Sequence, residues 1–145
     1  PSMAAGLMLQ EAGREFDVVV GAQTAERLLM KDVQGMSEGL PGEQRVLRIT
    51  TDDGSEGIKG FVTDAMAPLL AERSYAQVYT CGPSVMMAGV ARLADEAGIA
   101  CQASLERMMG CGFGACSCCN VALVSGGYAL CCQDGPVFDA KEVAW

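Results

Sequence analysis

The feature that most constrains this chain is a dense run of cysteines near its end. Six of its eight cysteines fall between Cys111 and Cys132, and Cys111, Cys116, Cys119 and Cys132 follow a C-x4-C-x2-C-x12-C spacing. That C-x4-C-x2-C…C pattern is the plant-type [2Fe–2S] arrangement, distinct from the C-x2-C-x2-C-x3-C-P run of [4Fe–4S] ferredoxins. Gly110, Gly112 and Gly114 interleave the first cysteines. A loop that wraps a cluster and aims backbone N–H groups at its sulfurs needs residues with no Cβ and free φ. The pattern therefore predicts an iron–sulfur cluster and, with it, electron transfer.

The same thiolates admit other readings. Cys116-x2-Cys119 is also one half of a zinc ribbon, yet a ribbon pairs two such knuckles and the second is missing. Disulfides fit poorly, because the adjacent pairs Cys118-Cys119 and Cys131-Cys132 cannot bridge internally without strain. Six cysteines compete for four positions. Cys118 breaks the spacing, and Cys131 falls on the opposite face of its strand from Cys132, so both read as small thiols outside the ligand set. Cys101 reads as a core residue within a strand. Cys81 lies at the carboxyl end of an expected strand before Gly82-Pro83, where facing a ligand and packing into the core are equally compatible with its position.

Composition narrows the chemistry further. The chain has no His, which removes Ser-His-Asp and Cys-His catalysis, His-ligated zinc, Rieske clusters and His-ligated haem. Its 10 Lys and Arg against 18 Asp and Glu give a formal charge of −8 with no basic run, which argues against a nucleic-acid or anionic-membrane partner. Apolar stretches such as Val18–Val20 and Ala65–Ala71 are too short to span a bilayer. No charged n-region followed by an apolar block opens the chain. Clustered thiols without an export signal predict metal binding in a reducing, cytoplasmic compartment. With 145 residues, half of them apolar, there is room for one ordinary domain and a small appended module. The chain opens at Pro1 inside an expected helix, which reads as an excised piece of a longer protein.

Local patterns predict an alternation of helices and strands. Ser2–Ala12 is a helix closing on Gly13. Phe16–Val20 is a buried strand, Thr24 caps a helix over Ala25–Lys31, and Arg45–Thr50 is a second strand. Asp52-Asp53-Gly54-Ser55 forms a tight turn. A helix over Phe61–Arg73 is interrupted or bent at Pro68, and Ala76–Tyr79 is a strand. Pro83 takes the first helical position of a helix over Ser84–Ala97 ending on Gly98, and Ile99–Ala103 is a final strand. This order predicts an α/β fold whose parallel sheet is covered on both faces, with ligands at the strands' carboxyl ends. The loops after Val20, Thr50 and Tyr79 would share that rim. After Glu106 the chain turns to glycines and cysteines, then to Val121–Val124 and Tyr128–Cys131 as two strands across Ser125-Gly126-Gly127. The expected boundary near residue 105 separates domains 1–104 and 105–145.

Ser104–Cys116 (SLERMMGCGFGAC), Cys132–Asp139 (CQDGPVFD) and the ending at Trp145 resemble the electron-transfer subunit of bacterial class 1B dihydroorotate dehydrogenase. Thr51–Ser55, Lys59–Asp64 and Thr80–Pro83 resemble that family's ferredoxin-reductase-like nicotinamide-binding domain. In that family the last cluster ligand immediately precedes x-Asp-Gly-Pro, which selects Cys132 over Cys131. The resemblance implies a nicotinamide site lined by Thr51, Asp52, Ser55, Thr80, Cys81, Gly82 and Pro83; by themselves Asp52 and Asp53 read as a solvated turn. It also implies FAD and NAD in the full-length subunit, and electron flow from NADH through FAD and the cluster to the FMN of a catalytic subunit, in pyrimidine biosynthesis. The chain itself would do no acid–base chemistry on dihydroorotate. The family's FAD-binding barrel and Gly-rich turn have no counterpart here, so the nucleotide-binding domain is expected to be truncated at its N-terminus. Two alternatives stand beside this: the small subunit of a ferredoxin–NADP transhydrogenase, sulfide dehydrogenase or hydrogenase diaphorase, or a non-enzymatic zinc module. The flavin-complex relatives often have Asp in place of the first cysteine, whereas Cys111 is present.

Overall fold

The fold was obtained as a computed structural model, which describes residues 1–28 and 46–145. The chain divides into two compact units, Pro1–Leu69 and Leu70–Trp145.

The first unit opens with helix α1 (Ser2–Glu11). Gly13, at φ +65, ends it. Its N–H bonds back to Gln10 and that of Arg14 to Leu9, a Schellman closure that only a residue free of Cβ strain enters cheaply. Strand β1 (Val18–Ala22) pairs in parallel with β2 (Leu47–Thr51), which pairs in parallel with β3 (Ile58–Lys59). Helix α2 (Val62–Glu72) follows, and it contains Pro68 without interruption of the helix. The Asp64 carboxylate accepts the Phe61 N–H at 2.8 Å, so an acidic residue of the first turn satisfies a donor that the helix leaves orphaned. Gly21 lets β1 approach the start of that helix. A Cβ there would stand 2.5 Å from Val62 Cγ1 and 3.0 Å from Thr50 Oγ1.

In the second unit β4 (Gln77–Cys81) pairs in parallel with β5 (Ala100–Ser104), and α3 (Ser84–Glu96) packs against both. Gly98 closes α3 as Gly13 closes α1. A short hairpin, β6 (Asn120–Ala122) and β7 (Tyr128–Leu130), precedes β8 (Val137–Asp139), which returns to pair antiparallel with β5. Met87, Leu105, Val121 and Cys131 are among the side chains fully buried here. Each large apolar side chain so buried stabilises the fold by about 1.5–3 kcal/mol.

Several local expectations shift. Strand β1 starts two residues later than the apolar run Phe16–Val20, because its ladder with β2 continues through Gly21 and Ala22. The expected helix over Ala25–Lys31 is a single 3-10 turn, Ala25–Arg27, with Leu28 already extended. Leu29–Lys31 of that expectation, and Arg45 of the next strand, lie outside the described residues. Pro83 occupies the N-cap of α3, with ψ 139°, rather than its first helical position. Ile99–Ala103 is not the last strand of its sheet, since β8 adds to β5 from beyond the cysteine loop.

Candidate metal centre

The cysteine loop starts where β5 runs out. Leu105 is buried and its N–H bonds to Pro136 O at 2.9 Å, which anchors the loop's beginning beside its far end. From Gly110 the backbone coils through Gly112 (φ +75) and Gly114 (φ +87), conformations that side-chain-bearing residues enter only under strain. The hairpin then sets the later cysteines. Its register pairs Asn120 with Leu130, and Cys131 N–H bonds to Cys119 O at 3.0 Å, so Cys119 faces the end of β7. There the Asp134 carboxylate accepts the Leu130 N–H at 2.7 Å and the amides of Gln133 and Asp134 bond to Leu130 O. This closes a turn that carries Cys132. Gln133 reaches from the turn to Gly112 O at 3.4 Å, tying it to the first loop.

The four expected ligands lie within one another's electrostatic reach: Cys116 is perturbed by Cys118 and Cys111, and Cys132 by Cys119 and Cys111. Backbone amides also point at these sulfurs: those of Cys118 and Cys111 at Cys116, and that of Gly114 at Cys132. The Cys118 N–H and thiol, then the thiol and N–H of Cys111, lower the Cys116 thiol to about 7, so the thiolate a metal requires is within reach near neutrality. The thiol of Cys132 is shifted upward by its bond to the Cys119 sulfur, then by desolvation. Cys119 is buried, Cys111 and Cys132 are half-buried, and Cys116 is exposed.

This donor set fits a dinuclear cluster, in which two cysteines serve each of two irons. Among the described residues, no three Cys, Asp or Glu side chains converge on a single metal position. The remaining thiols separate by environment. Cys131 is about 1% exposed and its thiol donates to Leu105 O at 3.3 Å, inside the core. Cys101 is buried in β5. Cys118 is exposed, and its thiol lies against Cys116. Sequence reasoning missed Gln133 and Asp134 as loop ties; the Asp134-Gly135-Pro136 turn signal was the available clue.

The residues expected around a nicotinamide stand at strand carboxyl ends. Thr51 ends β2 and is fully buried. Its hydroxyl donates to Glu56 O at 2.7 Å and accepts the Glu56 N–H at 3.0 Å, so it shapes the loop and has little left for a ligand. Ser55 is occupied too: its hydroxyl donates to the Asp53 carboxylate at 2.6 Å and accepts the Ala25 N–H at 2.8 Å. The Ser55 hydroxyl, then the Ser55 N–H at 2.9 Å, hold the Asp53 carboxyl below its ordinary range. Asp52 remains exposed at the turn. In the other unit, Thr80 is buried and Cys81 half-buried at the end of β4. Exposed Gly82 and Pro83 lead into α3, with Gly82 at φ +150.

Residues 2–92 match the family described as oxidoreductase NAD-binding domain, and residues 106–144 match the iron–sulfur cluster binding domain of dihydroorotate dehydrogenase B. A probable dihydroorotate dehydrogenase B (NAD(+)) electron transfer subunit of Methanocaldococcus jannaschii is 40% identical over 140 residues, 95% of this chain and 50% of that protein. A homolog of the same subunit in Thermotoga maritima is 40% identical over 94% of this chain and 46% of its own length. Among solved structures, an NADH-dependent reduced ferredoxin–NADP oxidoreductase, studied for flavin-based electron bifurcation, superposes with TM-score 0.83 at 34% identity. That match covers 99% of this chain and 49% of the other. The chain spans about half the length of the curated relatives it matches. Its α/β architecture with parallel strand pairing is the ferredoxin-reductase-like NAD-binding fold. The chain belongs to the oxidoreductase NAD-binding domain family and carries, C-terminal to that domain, an iron–sulfur cluster binding domain of the dihydroorotate dehydrogenase B kind.

Proposed function

We propose that this chain is part of an electron-transfer subunit that carries electrons from NADH to the FMN-containing catalytic subunit of a dihydroorotate dehydrogenase, in pyrimidine biosynthesis. The observation that carries the reading is the gathering of Cys111, Cys116, Cys119 and Cys132 around one glycine-shaped loop, close enough to perturb one another's thiols. These four cysteines hold a [2Fe–2S] cluster. Bound there, such a cluster supplies one-electron transfer between partners that work in pairs of electrons. The protein's own part is positional. The glycines shape the loop, Gln133 and Asp134 fix the Cys132 turn, and the hairpin, anchored by buried Val121, keeps Cys119 in place.

FAD and NAD belong to the full-length subunit in this reading. In the second unit the Thr80–Pro83 loop serves the nicotinamide; in the first, Thr51 and Ser55 hold the turn that carries Asp52 in shape. A division into domains 1–104 and 105–145 is supported by the family matches, which end at 92 and resume at 106. The names of relatives about 40% identical, and the presence of Cys111, support this system over the small subunit of a ferredoxin–NADP transhydrogenase. A cytoplasmic location is supported by the clustering of six cysteines between Cys111 and Cys132, which suits metal binding in a reducing compartment. No helix among the described residues is long and apolar enough to cross a membrane. The partner is a protein rather than a nucleic acid, in keeping with the −8 charge.

Met108, Met109 and Phe113 stand exposed around the first cysteines and form the surface for the catalytic subunit. The test is to reconstitute the chain, reduce it chemically, remove the reductant and mix it with the FMN-loaded catalytic subunit. Bleaching of the FMN absorbance is expected, with loss of complex formation in Phe113→Asp. No bleaching, or equal association of wild type and Phe113→Asp, would refute the reading.

A further inference from the structure

We propose that Cys116 and Cys118 are interchangeable ligands for one iron of the cluster. The inference rests on the cluster reading above and goes beyond its four-ligand set.

Two sulfurs occupy one place in the loop. Both pack over the same glycine: a Cβ built on Gly110 would stand 2.9 Å from Cys116 Sγ and 3.2 Å from Cys118 Sγ. The backbone between them is the reason. Ser117 takes φ +54, and among the described residues no other non-glycine has positive φ. An extended Ser117 would keep the side chains of residues 116 and 118 on one face but roughly 6–7 Å apart along the chain. The left-handed turn instead folds Cys118 back, with its thiol 3.8 Å from the Cys116 carbonyl. A strained, non-glycine conformation that brings a second thiol onto a ligand position is the kind of outlier that points to use.

The other spare thiols are not so placed. Cys131 is buried and committed to Leu105 O, whereas Cys116 and Cys118 are both exposed and free to trade places. The exchange moves no electrons. With a cluster bound, the Cys118 sulfur would take the place of the Cys116 sulfur on iron, the proton of one thiol passing to the other. Cys111, Cys119 and Cys132 would supply the remaining ligands.

Anaerobic reconstitution of four proteins tests this, with iron, acid-labile sulfide, visible absorption and EPR as readouts. Wild type must load first; its failure to load would overturn the cluster reading and not this one alone. Cys116→Ala is expected to retain more than half of the wild-type iron and sulfide with a shifted EPR spectrum. Cys116→Ala/Cys118→Ala is expected to lose the cluster as fully as Cys111→Ala. If Cys116→Ala is as empty as Cys111→Ala while its far-ultraviolet dichroism matches wild type, the proposal is wrong. A measurement on the unmodified sequence guards against a folding defect: brief alkylation of the loaded protein followed by peptide mass spectrometry. Label divided between Cys116 and Cys118, on separate chains, is expected. Label on Cys118 alone would overturn the exchange.

Discussion

Replacing Cys131 and Cys132 one at a time separates a packing thiol from a ligand. Cys131 is about 1% exposed, and its thiol donates to Leu105 O at 3.3 Å. Cys131→Ala removes one buried heavy atom, a loss comparable to Ile→Val at about 0.5–1.5 kcal/mol. It also removes a hydrogen bond worth roughly 1 kcal/mol or less, since a thiol is a weak donor. The sum is about 2 kcal/mol, which for a chain of this size lowers the melting temperature by roughly 4–8 °C. Cys132 is half-buried on its turn, so Cys132→Ala should leave the apo-protein's melting almost unchanged. The loaded proteins reverse the order. Cys131→Ala should keep its visible and EPR signals, and Cys132→Ala should lose them. The assay is a thermal melt of each apo-protein under reductant, beside the spectrum of each protein after anaerobic reconstitution. Bleaching in Cys131→Ala with an unshifted apo melt would show that the wrong member of the pair has been taken as the ligand.

Two further outcomes follow from a buried thiol and a left-handed glycine. Burial, aided by the Asp139 charge, pushes the Cys101 thiol up to about 11 from an ordinary 9. The folded state therefore holds this proton more tightly than the unfolded one, a contribution fully present below pH 9 and lost as pH rises through 11. Its size is about 2–3 kcal/mol; urea melts at pH 8 and pH 10.5 should show a steeper alkaline loss in wild type than in Cys101→Val, and equal slopes would contradict the assignment. Gly57 sits at φ +66 with its missing Cβ facing the Ile49 carbonyl. Gly57→Ala should cost at least about 2 kcal/mol, from left-handed strain and backbone collision together, and a change below 0.5 kcal/mol in a denaturant melt would show that the loop relaxes freely.

The parts of this protein that were legible in sequence are those with local causes. Gly13 and Gly98 end their helices where the pattern placed them, because a C-terminal glycine is a short-range signal. The Ser125-Gly126-Gly127 hairpin formed for the same reason, with both glycines at positive φ. The failures depend on partners far along the chain. Thr24 makes no side-chain cap; the Ala25 amide bonds to Ser55, 30 residues on, and the expected helix stops after one turn. Strand β8 is three residues long and exists through its pairing with β5, so Val137–Asp139 carried no period of its own to read. The cysteine spacing pointed to an iron–sulfur cluster, in keeping with the matched family, yet not to the fold of Cys118 back toward residue 116. That follows from the single dihedral of Ser117, which no composition rule anticipates.

The central claim is the nature of the bound group, and metal analysis of anaerobically prepared protein tests it most directly. About two irons and two acid-labile sulfides per chain, with a red-brown colour, are the expected result. One zinc per chain with no sulfide, in colourless protein, would contradict the account.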